Sequence, residues 1–169
     1  MHHYRFSFLD KANASDVLPS LFDILYENMS KIVPTDQPYE VERGEWLGAV
    51  APALTKAPRQ IVLMHDGEIL AGFLQYYVNN GIFMVEEIQL KLVYQRTRLL
   101  YELCRFLTDV IPSDTQYIEA FVHEKNVTSQ KLQRSLGMEH IDTKKNGTLH
   151  FRGDCQKLFG RFRKLAKGD

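Results

Sequence analysis

The sequence predicts an α/β (α+β) domain in which a mixed, mostly antiparallel sheet is flanked by helices. Three observations lead there. Short turn signals, HDGE at 65–68, NNG at 79–81 and KKNG at 144–147, separate runs of β-type residues. They suit tight hairpins, because Asn, Asp and Gly accept positive φ at little cost. Apolar residues recur at helical spacing in other stretches. Finally, a β-type run at 82–93, a helical run and a β-type run at 116–122 follow one another. That order gives parallel neighbours through a right-handed crossover, so the sheet is mixed.

Each element has its own reason. RFSFL near the N-terminus reads as a strand. Val17, Leu18, Leu21, Ile24 and Leu25 fit a helix with Ser15 as its cap, Asp16 in its first turn and Pro34 beyond its end. A second helical piece carries Trp46. QIVLM (60–64), EILAGFLQYYV (68–78) and IFMVEEIQLKLV (82–93) form a three-strand meander. Leu99, Leu100, Leu103, Phe106, Leu107 and Val110 line a helix that Pro112 closes. After the strand at 116–122, Asn126 caps a short helix with Leu132 and Leu136, which Gly137 ends. LHFR (149–152) completes a last strand pair.

At 169 residues the chain predicts one domain, spanning 1–169. Lys plus Arg equals Asp plus Glu at 21 each, so no overall field gathers nucleic acid or an anionic membrane. Charge is local instead: residues 10–45 hold eight acids against three bases, and residues 125–169 eleven bases against four acids. Cys104 and Cys155 show no metal-ligand or CxxC spacing, which fits a reducing cytoplasm and no metal site. The opening MHHYRFSFLD has no apolar export core, and no run approaches a membrane span. The basic tail CQKLFGRFRKLAKGD carries Leu158, Phe159, Phe162 and Leu165 at helical spacing, and is expected to pack that side on the domain rather than on a membrane.

The stretch VYQRTRLLYELC (93–104) sets a polar turn at the start of a helix and places Arg96 and Arg98 there. Unpaired amides already make that end positive, so the arginines are of no use to stability, and an anion such as phosphate would welcome both. Two solvated loop arginines are the plainer alternative.

FVHEKNVTSQKLQRSLGMEHI (121–141) presents Asn126, Ser129, Leu132, Leu136, Gly137 and Met138 in the spacing N-x-x-S-x-x-L-x-x-x-L-G-M. Here the chain resembles the GCN5-related N-acetyltransferase (GNAT) family, and the element order agrees over nearly the whole length. The resemblance implies a GNAT-like fold and transfer of an acetyl group from acetyl-CoA, as cosubstrate, to an amine on a small molecule or peptide. It implies that the backbone at Leu90, Lys91 and Leu92 pairs with the pantetheine arm. Amides of Gln95, Arg96, Thr97, Arg98, Leu99 and Leu100 would face the pyrophosphate, with Asn126 and Ser129 beside the cofactor. A homodimer is also compatible. The family's turn reads (R/Q)-x-x-G-x-(G/A); Gln95 fits, whereas Arg98 and Leu100 replace the small residues. Gln133 stands where the family often has a tyrosine that protonates the leaving thiolate. The same departures fit a relative that binds a ligand or partner without catalysis.

Amine acetylation needs a proton acceptor. Glu86 is the first choice and Glu87 the alternative, both set in an apolar run; adjacent strand residues face opposite ways, so one of them lines a given cleft. His123, just past a strand end, is a further candidate against the plain reading of a loop residue. Trp46, Glu42 and Glu45 fall in the helical region that shapes the acceptor pocket in the family, and their acidity suits a cationic amine.

Overall fold

Two-residue turns set the register of the central strands. Gly67, at φ 58°, closes one hairpin, and Asn80 and Gly81, at φ 49° and 73°, close the next. Positive φ at both central residues is the geometry that follows the natural strand twist. The computed structural model describes residues 3–56 and 58–166, without the side chains of 163–166. Its strands are β1 (Tyr4–Phe8), β2 (Arg59–Asp66), β3 (Ile69–Asn79), β4 (Ile82–Leu90), β5 (Tyr117–Val122), β6 (Glu139–Thr143) and β7 (Leu149–Asp154). The helices are α1 (Ala14–Met29), α2 (Tyr39–Lys56), α3 (Leu99–Val110), α4 (Val127–Ser135) and α5 (Cys155–Ala166). The strands form one seven-stranded sheet in the order β1-β2-β3-β4-β5-β7-β6. β4 and β5 are parallel, while β1/β2, β5/β7 and β6/β7 are antiparallel. The mixed, mostly antiparallel sheet expected from the sequence is present.

The chain divides into two compact units: Met1–Gln75 with Glu87–Arg96, and Tyr76–Glu86 with Thr97–Asp169. In the first, Leu18, Leu21 and Ile24 of α1, Val50 and Leu54 of α2, Ile61 and Leu63 of β2 and Phe73 of β3 form the core. The spacing of the α1 residues puts them on one stripe. Ser15 is not the cap of that helix. Asp10 initiates a 3-10 turn at Lys11–Asn13, its Oδ1 accepting from the Ala12 amide at 3.0 Å, and α1 continues from that turn at Ala14. An upstream carboxylate caps the 3-10 turn that leads into α1, so Ser15 falls inside the helix.

β4 also ends earlier than its β-type run, at Leu90 rather than 93. The Lys91 amide makes a last bond to the Ala71 carbonyl (2.9 Å), and a 3-10 turn at Leu92–Tyr94 follows. Burial of Tyr94, 6 % exposed, draws the chain inward there. Burial, and after it the charge and hydrogen bond of Asp66, push the Tyr94 phenol above its ordinary value. Gly72 on β3 permits close approach: a Cβ there would lie 2.4 Å from the Gln89 carbonyl oxygen.

In the second unit Ile118, Ala120 and Val122 of β5 are buried, as are Leu99, Leu103 and Leu107 of α3, Phe151 of β7, and Leu158 and Phe159 of α5. Phe83 meets Phe159 edge-on at 6.2 Å, so the tail helix packs its apolar side inward as expected; the Leu165 side chain lies outside the described residues. α3 ends at Val110, before Pro112. Asn126 Oδ1 accepts from the Ser129 amide (3.0 Å) and caps α4. That helix closes through Gly137 at φ 85°, with Met138 N–H bonded to the Gln133 carbonyl and Gly137 N–H to that of Arg134. β6 is an edge strand, and its pairing with β7 shifts register between His140 and Asp142.

Candidate functional site

The first unit contains an open cleft of about 550 Å³. α1 contributes Phe22, Leu25, Tyr26 and Met29, α2 contributes Glu42, Glu45 and Trp46, and β4 contributes Glu87. Alternation along β4 explains the last. Glu87 and Gln89, two residues apart, share one face, and Glu86 is not among the lining residues. Sequence alone put Glu86 first; of the pair, Glu87 is the one at this cleft. The walls are aromatic. Phe22 lies 5.8 Å from Tyr26 and 5.8 Å from Trp46, and Tyr39 packs edge-on to Tyr26 at 4.9 Å. Trp46, Glu42 and Glu45 line the cleft together, one helical turn apart.

A chain of side-chain amides runs from Glu87 to the end of β4. Gln89 Nε2 donates to Glu87 Oε2 (3.0 Å), and Asn28 Nδ2, near the end of α1, donates to Gln89 Oε1 (2.9 Å) and to the Leu90 carbonyl (2.9 Å). Gln95 Nε2 reaches the same carbonyl at 3.2 Å and Asn28 Oδ1 at 3.3 Å. Gln89 is 8 % exposed, so these bonds satisfy a buried polar group. Two of the groups read as pantetheine partners are thus already engaged: the Leu90 carbonyl accepts side-chain amides, and the Lys91 amide bonds to Ala71. Leu92 starts the 3-10 turn, and its carbonyl accepts from the Gln95 amide at 3.2 Å. Sequence reading missed Asn28 and Gln89; the signal for Gln89 was an amide embedded in the apolar run of β4.

Beyond Gln95 the backbone turns sharply at Arg96, whose φ of 67° is left-handed and costs a side chain about 1–2 kcal/mol relative to the ordinary helical region. Arg96 is exposed. In the second unit, Thr97 Oγ1 accepts from the Leu99 amide at 3.3 Å. Arg98 is the N-cap residue of α3, but its side chain turns back: Nη2 pairs with Glu102 Oε1 at 3.2 Å and the guanidinium lies 5.4 Å from the Tyr101 ring centre. Its charge at the helix start is therefore balanced by an acid in the first turn. Leu99 is fully buried and Leu100 partly so.

The remaining candidates lie in the second unit. The β4/β5 register ends at Val85 opposite Ala120, and β5 continues to Val122. His123 Nδ1 accepts from the Lys125 amide (3.1 Å), and the His123 carbonyl accepts from the Asn126 amide, so this histidine shapes a turn. Asn126 and Ser129 meet in the helix cap, and Gln133 on α4 is 4 % exposed. A separate polar cluster joins β5 to β7. Glu119, 4 % exposed, accepts from His150 Nε2 (2.7 Å) and Arg152 Nε (2.7 Å). Burial would raise this carboxyl; the His150 and Arg152 hydrogen bonds and charges outweigh it and hold it below the ordinary glutamate value. Among the described residues, no group of three His, Cys, Asp or Glu is placed to hold a metal, and no helix is long and apolar enough to cross a membrane.

No protein-family model matches the chain, and no curated protein matches it in sequence. Solved structures do match in fold. An acetyltransferase from Thermus thermophilus superposes with a TM-score of 0.71 at 14% identity, over 91% of this chain and 99% of that one. The PaiA N-acetyltransferase from Thermoplasma acidophilum, in complex with coenzyme A, gives 0.67 at 12% identity over 90% and 99%. A ribosomal-protein-S5-alanine acetyltransferase from Vibrio fischeri gives 0.61 at 15% identity over 91% and 94%. At such identities the likeness is one of fold, and the fold is that of the GNAT acetyltransferases.

Proposed function

We propose that this chain, which has the GNAT fold, is an acyl-CoA-dependent N-acyltransferase that moves an acetyl group from acetyl-CoA directly to an amine. One observation carries the reading: the central strand of a fold shared with a CoA-bound acetyltransferase sends a carboxylate, Glu87, into an open cleft that can hold an acceptor. Glu87, directly or through water, takes the amine proton while the nitrogen attacks the thioester carbonyl; the C–S bond breaks and the thiolate takes a proton from water. Gln133, at the position of the family's tyrosine, offers no acid for that step. Residues 90–92 would hold the pantetheine arm, and Arg96, exposed and next to them, would add charge for the pyrophosphate. Positioning supplies much of the acceleration.

A second reading rests on the engaged groups at Leu90 and Lys91 and on the Arg98–Glu102 pair: a GNAT-like protein that binds a ligand or partner without catalysis. Two measurements separate them. Acetyl-CoA at a hundredfold excess over its dissociation constant stabilises a binding protein by about 2.7 kcal/mol, seen as a raised Tm, and R96G weakens that effect. CoA release across an amine panel reports transfer, and E87Q lowers kcat about 10²- to 10⁴-fold. No stabilisation by acetyl-CoA ends the transferase assignment, and stabilisation without CoA release favours the second reading.

A further inference from the structure

Asn-Gly pairs occur twice in the chain, at 80–81 and 146–147, and each closes a hairpin. Such a pair carries its own reactivity: the glycine nitrogen, with no Cβ to shield it, can attack the side-chain carbonyl carbon of the asparagine before it. The two pairs are held differently. Gly81 is pinned from outside its turn, because its carbonyl accepts the amides of Gln116 (2.7 Å) and Tyr117 (3.1 Å). The 144–147 turn is tied by its own bonds, Gly147 N–H to the Lys144 carbonyl (2.9 Å) and Lys144 N–H to that of Thr148 (2.8 Å). It lies at the end of β6, an edge strand exposed along its whole length. Segments with few buried contacts open most readily.

Local chemistry favours the second pair as well. Asn146 is exposed, and its Oδ1 accepts from the Thr148 amide at 3.1 Å. That donor sits where negative charge gathers when the carbonyl carbon is attacked. Lys144 and Lys145 precede the pair, and their field favours the deprotonated nitrogen that attacks; Asp142, paired with Lys144 at 2.9 Å, and Glu124 oppose them. The turn requires its glycine: φ at Gly147 is 81°, and a Cβ there would lie 2.8 Å from Glu124 Oε2.

We propose that Asn146 is a site of spontaneous covalent modification, with water as the co-reactant. The Gly147 nitrogen bonds to Asn146 Cγ once its bond to Lys144 opens, its proton leaves with the side-chain nitrogen as ammonia, and a cyclic imide remains. Water then opens the ring at either carbonyl. One opening gives aspartate; the other gives isoaspartate, in which the main chain runs through the former side chain and is longer by one methylene. The net change is one water taken up and one ammonia released. A lengthened link does not fit both cross-turn bonds, so β6 loses its hold on β7 near the turn. The site is independent of the transferase reading.

The full chain, held at pH 8 in native buffer or in urea and then digested with trypsin, reports on both pairs, and residues 146–152 leave as one peptide. Native protein is expected to convert Asn146 at least about tenfold faster than Asn80, and urea to narrow that gap. The product is expected as two peptides of equal mass, the isoaspartyl one labelled by a protein-isoaspartate methyltransferase. In folded protein so modified, amides of 144–148 are expected to exchange hydrogen faster than in fresh protein. Conversion of Asn80 at an equal or greater native rate, aspartate without isoaspartate, or Asn146 intact in native protein when the urea sample is fully converted overturns the inference. Unchanged exchange at 144–148 overturns the loosening of β6.

Discussion

Gln89 holds Glu87: its Nε2 lies 3.0 Å from the carboxylate, while its Oε1 accepts from Asn28 at 2.9 Å. The side chain that lines the cleft is therefore braced by a buried amide tied to the end of α1. Q89L keeps the volume and removes two side-chain hydrogen bonds at a buried position, so it is expected to cost about 1–3 kcal/mol in urea denaturation. Q89E puts a second carboxylate against Glu87, and its cost is expected to be greater at pH 8 than at pH 5. A variant as stable as wild type at both pH values removes the bracing role.

Gly72 lets the end of β4 lie against β3. A methyl group there would meet the Gln89 carbonyl oxygen at 2.4 Å and Leu90 Cδ2 at 2.7 Å. The carbonyl is backbone, so it cannot yield by a rotamer change. G72A is expected to lose about 2–3 kcal/mol of stability and to disturb Trp46 emission less than it disturbs Tm. A neutral G72A shows that β4 shifts freely.

Glu119 makes acid stability asymmetric. Its folded value is depressed, so its contribution is complete above the ordinary range of an unfolded glutamate and disappears as pH falls through the folded value. At pH 7, E119Q is expected to be destabilised by about 2 kcal/mol, since it weakens two charge-assisted bonds while half-exposed Arg152 regains water. At low pH, wild type and E119Q converge. Parallel stability curves from pH 7 down to pH 3 contradict the assignment.

The thiols are shielded. Cys104 and Cys155 are 6 % and 1 % exposed, and burial pushes the Cys104 thiol up to about 12. Native protein is expected to leave an aromatic disulfide reagent nearly uncoloured over minutes, and two thiols per chain to react in urea. Fast native labelling shows that α3 opens. The same experiment sets the background for any CoA-release measurement made with that reagent.

Much of the fold was legible because local chemistry dictated it. The Asn80–Gly81 turn, the α3 stripe closed by Pro112 and the Asn126 cap need no distant partner to be read. Three features were less legible because tertiary structure decides them. Asp10 displaces Ser15 as the initiating acceptor through a 3-10 turn that the helical period does not encode. Tyr94 pulls the chain out of the sheet three residues before the β-type pattern stops. Which of two adjacent glutamates meets a cleft depends on the face that α1 and α2 present, and β4 is half-buried on both sides. The arginine pair at the α3 start is legible only in part, since Glu102, a residue of the helix itself, takes Arg98.

The register shift between His140 and Asp142 has a consequence beyond this chain. Its position on β6 interrupts the row of backbone groups that an edge would otherwise offer to strands of other molecules. A second copy adding itself strand to strand there would meet a broken ladder. Concentrated solutions are thereby guarded against runaway sheet extension from that side.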